Sequence, residues 1–113
     1  MKLNEYPQAI ALLEEKILVV TREVEIQTEL LSFMDGEIET AIAFDSQLKN
    51  EQHRKAKRLE IQQQPDYLAA KSSLKAAKEQ QVRLAIKLNL LRNQFSVARL
   101  EARLQIASLE AVA

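Results

Sequence analysis

The pattern of apolar positions in this chain is helical from end to end. From Tyr67 onward one heptad series runs without a break: Tyr67, Ala70, Leu74, Ala77, Gln81, Leu84, Leu88, Leu91, Phe95, Ala98, Ala102, Gln105, Leu109 and Val112. Only two of these 14 positions are polar, and a 3-4 spacing held for that long marks one face of a long helix. A second series occupies the first half: Ile10, Leu13, Ile17, Val20, Val24, Gln27, Leu31, Met34, Ile38 and Ala41. Beyond Leu48 it thins to Ala56, Leu59 and Ile61.

The breaks between these series are few. Asn4 and Pro7 suit a helix start, since proline lacks an N–H that would be unpaired there anyway. Pro65 disfavours a helical conformation at Gln64, and Pro65-Asp66 fits a new first turn with a carboxylate at the positive end of the dipole. The spacing therefore predicts helix 1 over about residues 7–63, a turn at about 64–66 and helix 2 over about 66–111. Two other readings compete: one kinked helix passing through Pro65, and a three-helix bundle broken at Asp35-Gly36. Leu31, Met34 and Ile38 keep their register across Gly36, which favours continuity there at a cost of about 1 kcal/mol. The expected fold is all-α, a single domain formed by a long antiparallel helical hairpin resembling a coiled coil.

Folding about Pro65 would set residue i opposite roughly 131 − i. Ile10, Leu12, Leu13 and Ile17 would then have no partner within the chain. A second apolar stripe also flanks each series: Leu12, Leu18, Val19, Ile26, Leu30 and Phe33 in helix 1, and Ile86, Leu90, Val97, Leu100, Leu104 and Ile106 in helix 2. A two-helix contact covers only a narrow strip, so stripes this wide call for further helices. The expectation is a homo-oligomer, with a dimer favoured, joined at the open end into a four-helix arrangement. The residues assigned to self-association are Ile10, Leu13, Ile17, Val20, Phe33, Leu91, Phe95 and Leu104.

Composition agrees with few, long elements. The 113 residues include one Gly and two Pro, and only 4% are aromatic. The absence of Cys excludes disulfides and thiolate metal sites. The longest aliphatic run, Ile17-Leu18-Val19-Val20, is far below the roughly 20 residues that span a bilayer. The most apolar segment is acidic on its polar side, a poor match for anionic lipid. With no signal peptide in view, a cytoplasmic protein without membrane contact is expected.

Net charge is zero but segregated. Residues 7–46 hold nine acids against two bases, and residues 47–92 hold eleven bases against four acids. About Pro65, the basic segment would form the closed tip, with His53 to Arg58 facing Lys71, Lys75 and Lys78. Arg54, Lys55, Lys57, Arg58, Lys71, Lys75 and Lys78 are the candidate contacts for a further protein partner or for phosphates. The same charges also suit a solvated coiled-coil surface with i,i+4 pairs such as Glu51–Lys55.

Candidate chemistry adds nothing to this picture. His53 is the only histidine and sits among cations, which disfavour a bound metal. One glycine cannot make a phosphate-cradling loop, and the Glu-x-x-His pair of di-iron bundles does not occur. The expected function is a non-enzymatic structural or protein-interaction module without a cofactor. The alternative is a nucleic-acid-binding or architectural protein using the basic tip.

Overall fold

The computed structural model describes residues 1–112. The chain is all-α: a 3-10 turn at Leu3–Glu5, then α1 (Tyr6–Ala43), α2 (Glu51–Gln62) and α3 (Pro65–Val112). Among the described residues there is no strand. Asn4 lies inside the 3-10 turn rather than capping α1, and Pro7 stands in the first turn of α1. α1 passes unbroken through Gly36, where an added Cβ would meet nothing within 4 Å.

The helix expected over 7–63 is interrupted at residues 44–50. Asp45 Oδ1 accepts the Gln47 N–H at 2.9 Å, an Asx turn that carries the backbone out of α1. Asn50, with extended backbone, accepts the His53 N–H on its Oδ1 at 2.9 Å and caps α2. These side chains satisfy backbone donors that the helix leaves orphaned, so a break here costs little.

The chain reverses at this loop and not at Pro65. Tyr67 hydrogen-bonds Asp35, and Arg58 pairs with Glu39. Partner numbers fall from 67 to 58 as α1 advances from 35 to 39, so α2 and the start of α3 both run antiparallel to α1. Gln63 keeps a near-helical backbone (φ −92°, ψ −2°), and its N–H still reaches carbonyls of α2. Leu68 N–H donates across the joint to Gln64 at 3.1 Å. Pro65 therefore ends α2 and opens α3, as expected, while the hairpin reversal lies some twenty residues upstream.

Contacts divide the chain into two compact units. One comprises Val20–Glu79. Its core is Ile38, Ile42 and Tyr67, with Leu31, Met34, Leu48 and Ile61 packed around them. The seam here departs from the expected register at the end of α1, where Ile42 is buried and Ala41 exposed because Leu48 and Tyr67 close over the last turn, and in α2, where Ala56 and Leu59 are exposed and only Ile61 joins the core.

The other unit comprises Met1–Val19 with α3 from Gln80 onward. Tyr6 stacks on Phe95 with ring centroids 5.3 Å apart and planes 15° apart, and Glu14 meets Arg92 at 3.6 Å. Partner numbers here sum to 101 and 106, not to 131. Ile10, Leu13 and Ile17 consequently have α3 opposite them and are half-buried. The overhang falls at the other terminus: beyond Ala102, every described residue of α3 is exposed, including the seam positions Leu109 and Val112.

Candidate functional site

α1 and α3 each carry two apolar stripes, and the chain covers one of them. On α3 the buried or half-buried residues from Tyr67 to Ala102 are the heptad positions themselves, with Leu84 and Leu88 the most enclosed of the unit that holds them. The second stripe is bare. On α3, Ile86, Leu90, Val97, Leu100 and Leu104 are 54–62% exposed. They follow the seam at an offset of two residues, which places them on roughly the opposite helix face. In the same unit, α1 presents Leu12 and Val19 at 54% and 65% exposure. Isolated exposed leucines need no explanation; a regular stripe of them does.

An open groove of about 470 Å³ adjoins this face, lined by Met1, Tyr6, Asn93, Gln94, Val97, Ala98 and Glu101. It is a shallow trough along α3. Among the described residues no cluster of His, Asp or Glu could hold a metal ion, and no helix is long and apolar enough to cross a membrane.

Of the residues assigned to self-association, six belong to the seam that the hairpin itself covers. Ile10, Leu13, Ile17, Val20, Leu91 and Phe95 are half-buried, Phe95 between the Tyr6 ring and the Arg99 guanidinium at 5.4 Å. Phe33 and Leu104 are exposed. Placing the turn at Pro65 moved the supposed gap to the start of α1. The bare surface is instead the outer stripe, above all on α3.

The basic residues are not gathered at a tip. α2 and α3 follow one another along α1, so the segment from His53 to Arg58 does not face Lys71, Lys75 and Lys78. Arg58 is committed within the chain. Its Nε donates to Glu39 Oε1 at 2.6 Å and its Nη2 to Oε2 at 3.1 Å, a bidentate pair that ties α2 to α1. The hydrogen bonds from Arg58, and then its charge, hold the Glu39 carboxyl below its ordinary range, and Glu39 raises Arg58 in return. Arg54 pairs with Glu51 at 3.6 Å and Lys57 with Glu60 at 3.7 Å, both at i,i+3. Lys55, Lys71, Lys75 and Lys78 are exposed.

With the reversal at 44–50, the two charge blocks become the two arms. α1 carries eight acids and two bases, whereas α2 and α3 together carry twelve bases and six acids. The segregation thus supplies attraction across the hairpin, seen at Glu39–Arg58 and Glu14–Arg92. At the edge of the apolar core, Tyr67 Oη donates to Asp35 Oδ1 at 2.8 Å. That bond, then burial, then the Asp35 charge, push the Tyr67 phenol above its usual range.

No protein-family profile, no curated protein and no solved structure matches the chain. Its function is read from the surface alone.

Proposed function

We propose that the chain is a non-enzymatic structural or interaction module that self-associates through the outer apolar face of α3. The observation that carries this reading is the heptad stripe from Ile86 to Leu104, whose apolar members are all more than half exposed in the isolated chain. Leaving such a stripe in water forfeits about 25 cal/mol for each Å² that association would cover. Because the stripe repeats every three or four residues, it suits another helix better than a compact ligand.

Light scattering at micromolar concentration tests the reading. The expected mass is a multiple of the 12.9 kDa chain, with a dimer as the smallest assembly. The double substitution Leu90→Asp and Leu100→Asp should return the mass to that of one chain while leaving helical circular dichroism in place. A wild-type protein monodisperse at one chain's mass overturns the proposal.

A further inference from the structure

The outer face of α3 is self-complementary in one arrangement. Ile86, Leu90, Asn93, Val97, Leu100 and Leu104 are spaced 4-3-4-3-4, a complete set of heptad core positions interrupted by one asparagine. The corresponding face of α1 is poorer. Leu12, Val19, Ile26 and Phe33 recur every seven residues, but of the positions that alternate with them, Lys16, Glu23, Leu30 and Glu37, three are charged. Pairing two copies of the α1 face would therefore bury charged side chains in its core layers.

We infer that the occupant of the α3 outer face is the same face of a second copy, packed antiparallel with residue i opposite roughly 190 − i. This rests on the self-association proposed above and names its geometry. In that register Ile86 meets Leu104 of the other copy, Leu90 meets Leu100, and Asn93 meets Val97. Two-fold symmetry repeats each layer, giving six. At the edge, Lys87 of each copy falls beside Glu101 of the other, so two ion pairs flank the apolar layers. A parallel pairing would set Asn93 against Asn93 in the core and would leave Lys87 and Glu101 without each other. The antiparallel arrangement closes on itself, as an isologous dimer must.

The chain has no cysteine, so any thiol introduced is unique. Ile86→Cys and Leu104→Cys proteins, mixed and treated with a short bismaleimide, should cross-link to each other, while neither should cross-link to itself. Self-cross-linking of each variant alone, or a dimer by light scattering that gives no cross-link in the mixture, overturns the register and leaves self-association standing. A wild-type mass of one chain overturns both. As an independent arm, Lys87→Glu should raise the dimer Kd roughly tenfold by turning two attractions into repulsions. Adding Glu101→Lys to it should restore the wild-type Kd, and a double variant no tighter than the single overturns the inference.

Discussion

The two units of this chain are built from the same kind of helix and close themselves in different ways. In the unit of Val20–Glu79, three helical segments converge on Ile38, Ile42 and Tyr67. Three polar devices define the arrangement: the Asp45 turn with the Asn50 cap, the Tyr67–Asp35 hydrogen bond and the bidentate Arg58–Glu39 pair. The other unit is a pair of helices with a narrow seam, in which Tyr6 stacks on Phe95 and Glu14 meets Arg92 at 3.6 Å. Its α3 shows a complete apolar face to solvent. Where the chain encloses itself, hydrogen bonds such as Tyr67–Asp35 specify one geometry. Where it does not, the surface is apolar and repetitive, as a face made for another helix would be.

The sharpest way to break this comparison is to remove the same kind of side chain from both units. Ile38 is only 5% exposed, and Ile38→Ala should lower stability by about 2–4 kcal/mol, since loss of burial and a residual cavity both contribute. Leu90 is 57% exposed, and Leu90→Ala should cost less than about 0.5 kcal/mol at dilutions where copies are apart. As concentration rises its deficit should grow, because association stabilises the folded form by mass action. Thermal melts of both variants across a hundredfold range of concentration separate the cases. A Leu90→Ala deficit independent of concentration would show that this face serves the single chain.

A smaller effect distinguishes polar specification from burial. Tyr67→Phe keeps the ring in its pocket and removes the donor to Asp35, so it should cost about 1 kcal/mol. The linkage has a definite sign. The phenol is raised in the folded state, so its contribution is fully present below the unfolded pKa of about 10. It is lost as pH rises through the higher folded value. Alkaline melts should therefore be less steep for Tyr67→Phe than for wild type. Equal slopes would mean that the hydrogen bond is not held in solution.

Much of this architecture is written in the apolar pattern. The α3 seam read from Tyr67 to Ala102 is the set of residues that the fold covers, down to the half-buried Gln81. Continuity through Gly36 was legible from Leu31, Met34 and Ile38. The place of reversal was not. Asp45 and Asn50 are also ordinary residues for a solvent-facing helix surface, and only a hydrogen bond from a neighbouring backbone N–H makes one a turn and the other a cap. In an antiparallel hairpin, partner numbers sum to about twice the turn position. Moving the turn from 65 to the loop at 44–50 thus moves the observed pairings by roughly thirty residues. That single error transferred the overhang from the start of α1 to the end of α3, and it turned a supposed basic tip into one arm of a charge-matched hairpin. The bare stripe survived the error because it depends on spacing within one helix, not on pairing between two.

The polar contact that tells the two turns apart is the Arg58–Glu39 pair. Arg58 can grip Glu39 with both nitrogens only if α2 folds back along α1 from the loop at 44–50; a straight helix over 7–63 would hold them nineteen residues apart. Glu39 is lowered in the folded state by this contact, so its contribution is present above its ordinary pKa of 4.5 and disappears as pH falls through the depressed folded value. Wild type should therefore lose stability on acidification more steeply than Glu39→Gln. The difference should be small and should shrink in molar salt, because the pair lies at the surface. In a double-mutant cycle with Arg58→Ala, the two substitutions together should cost less than the sum of each alone. Strict additivity would mean that the pair contributes nothing in solution.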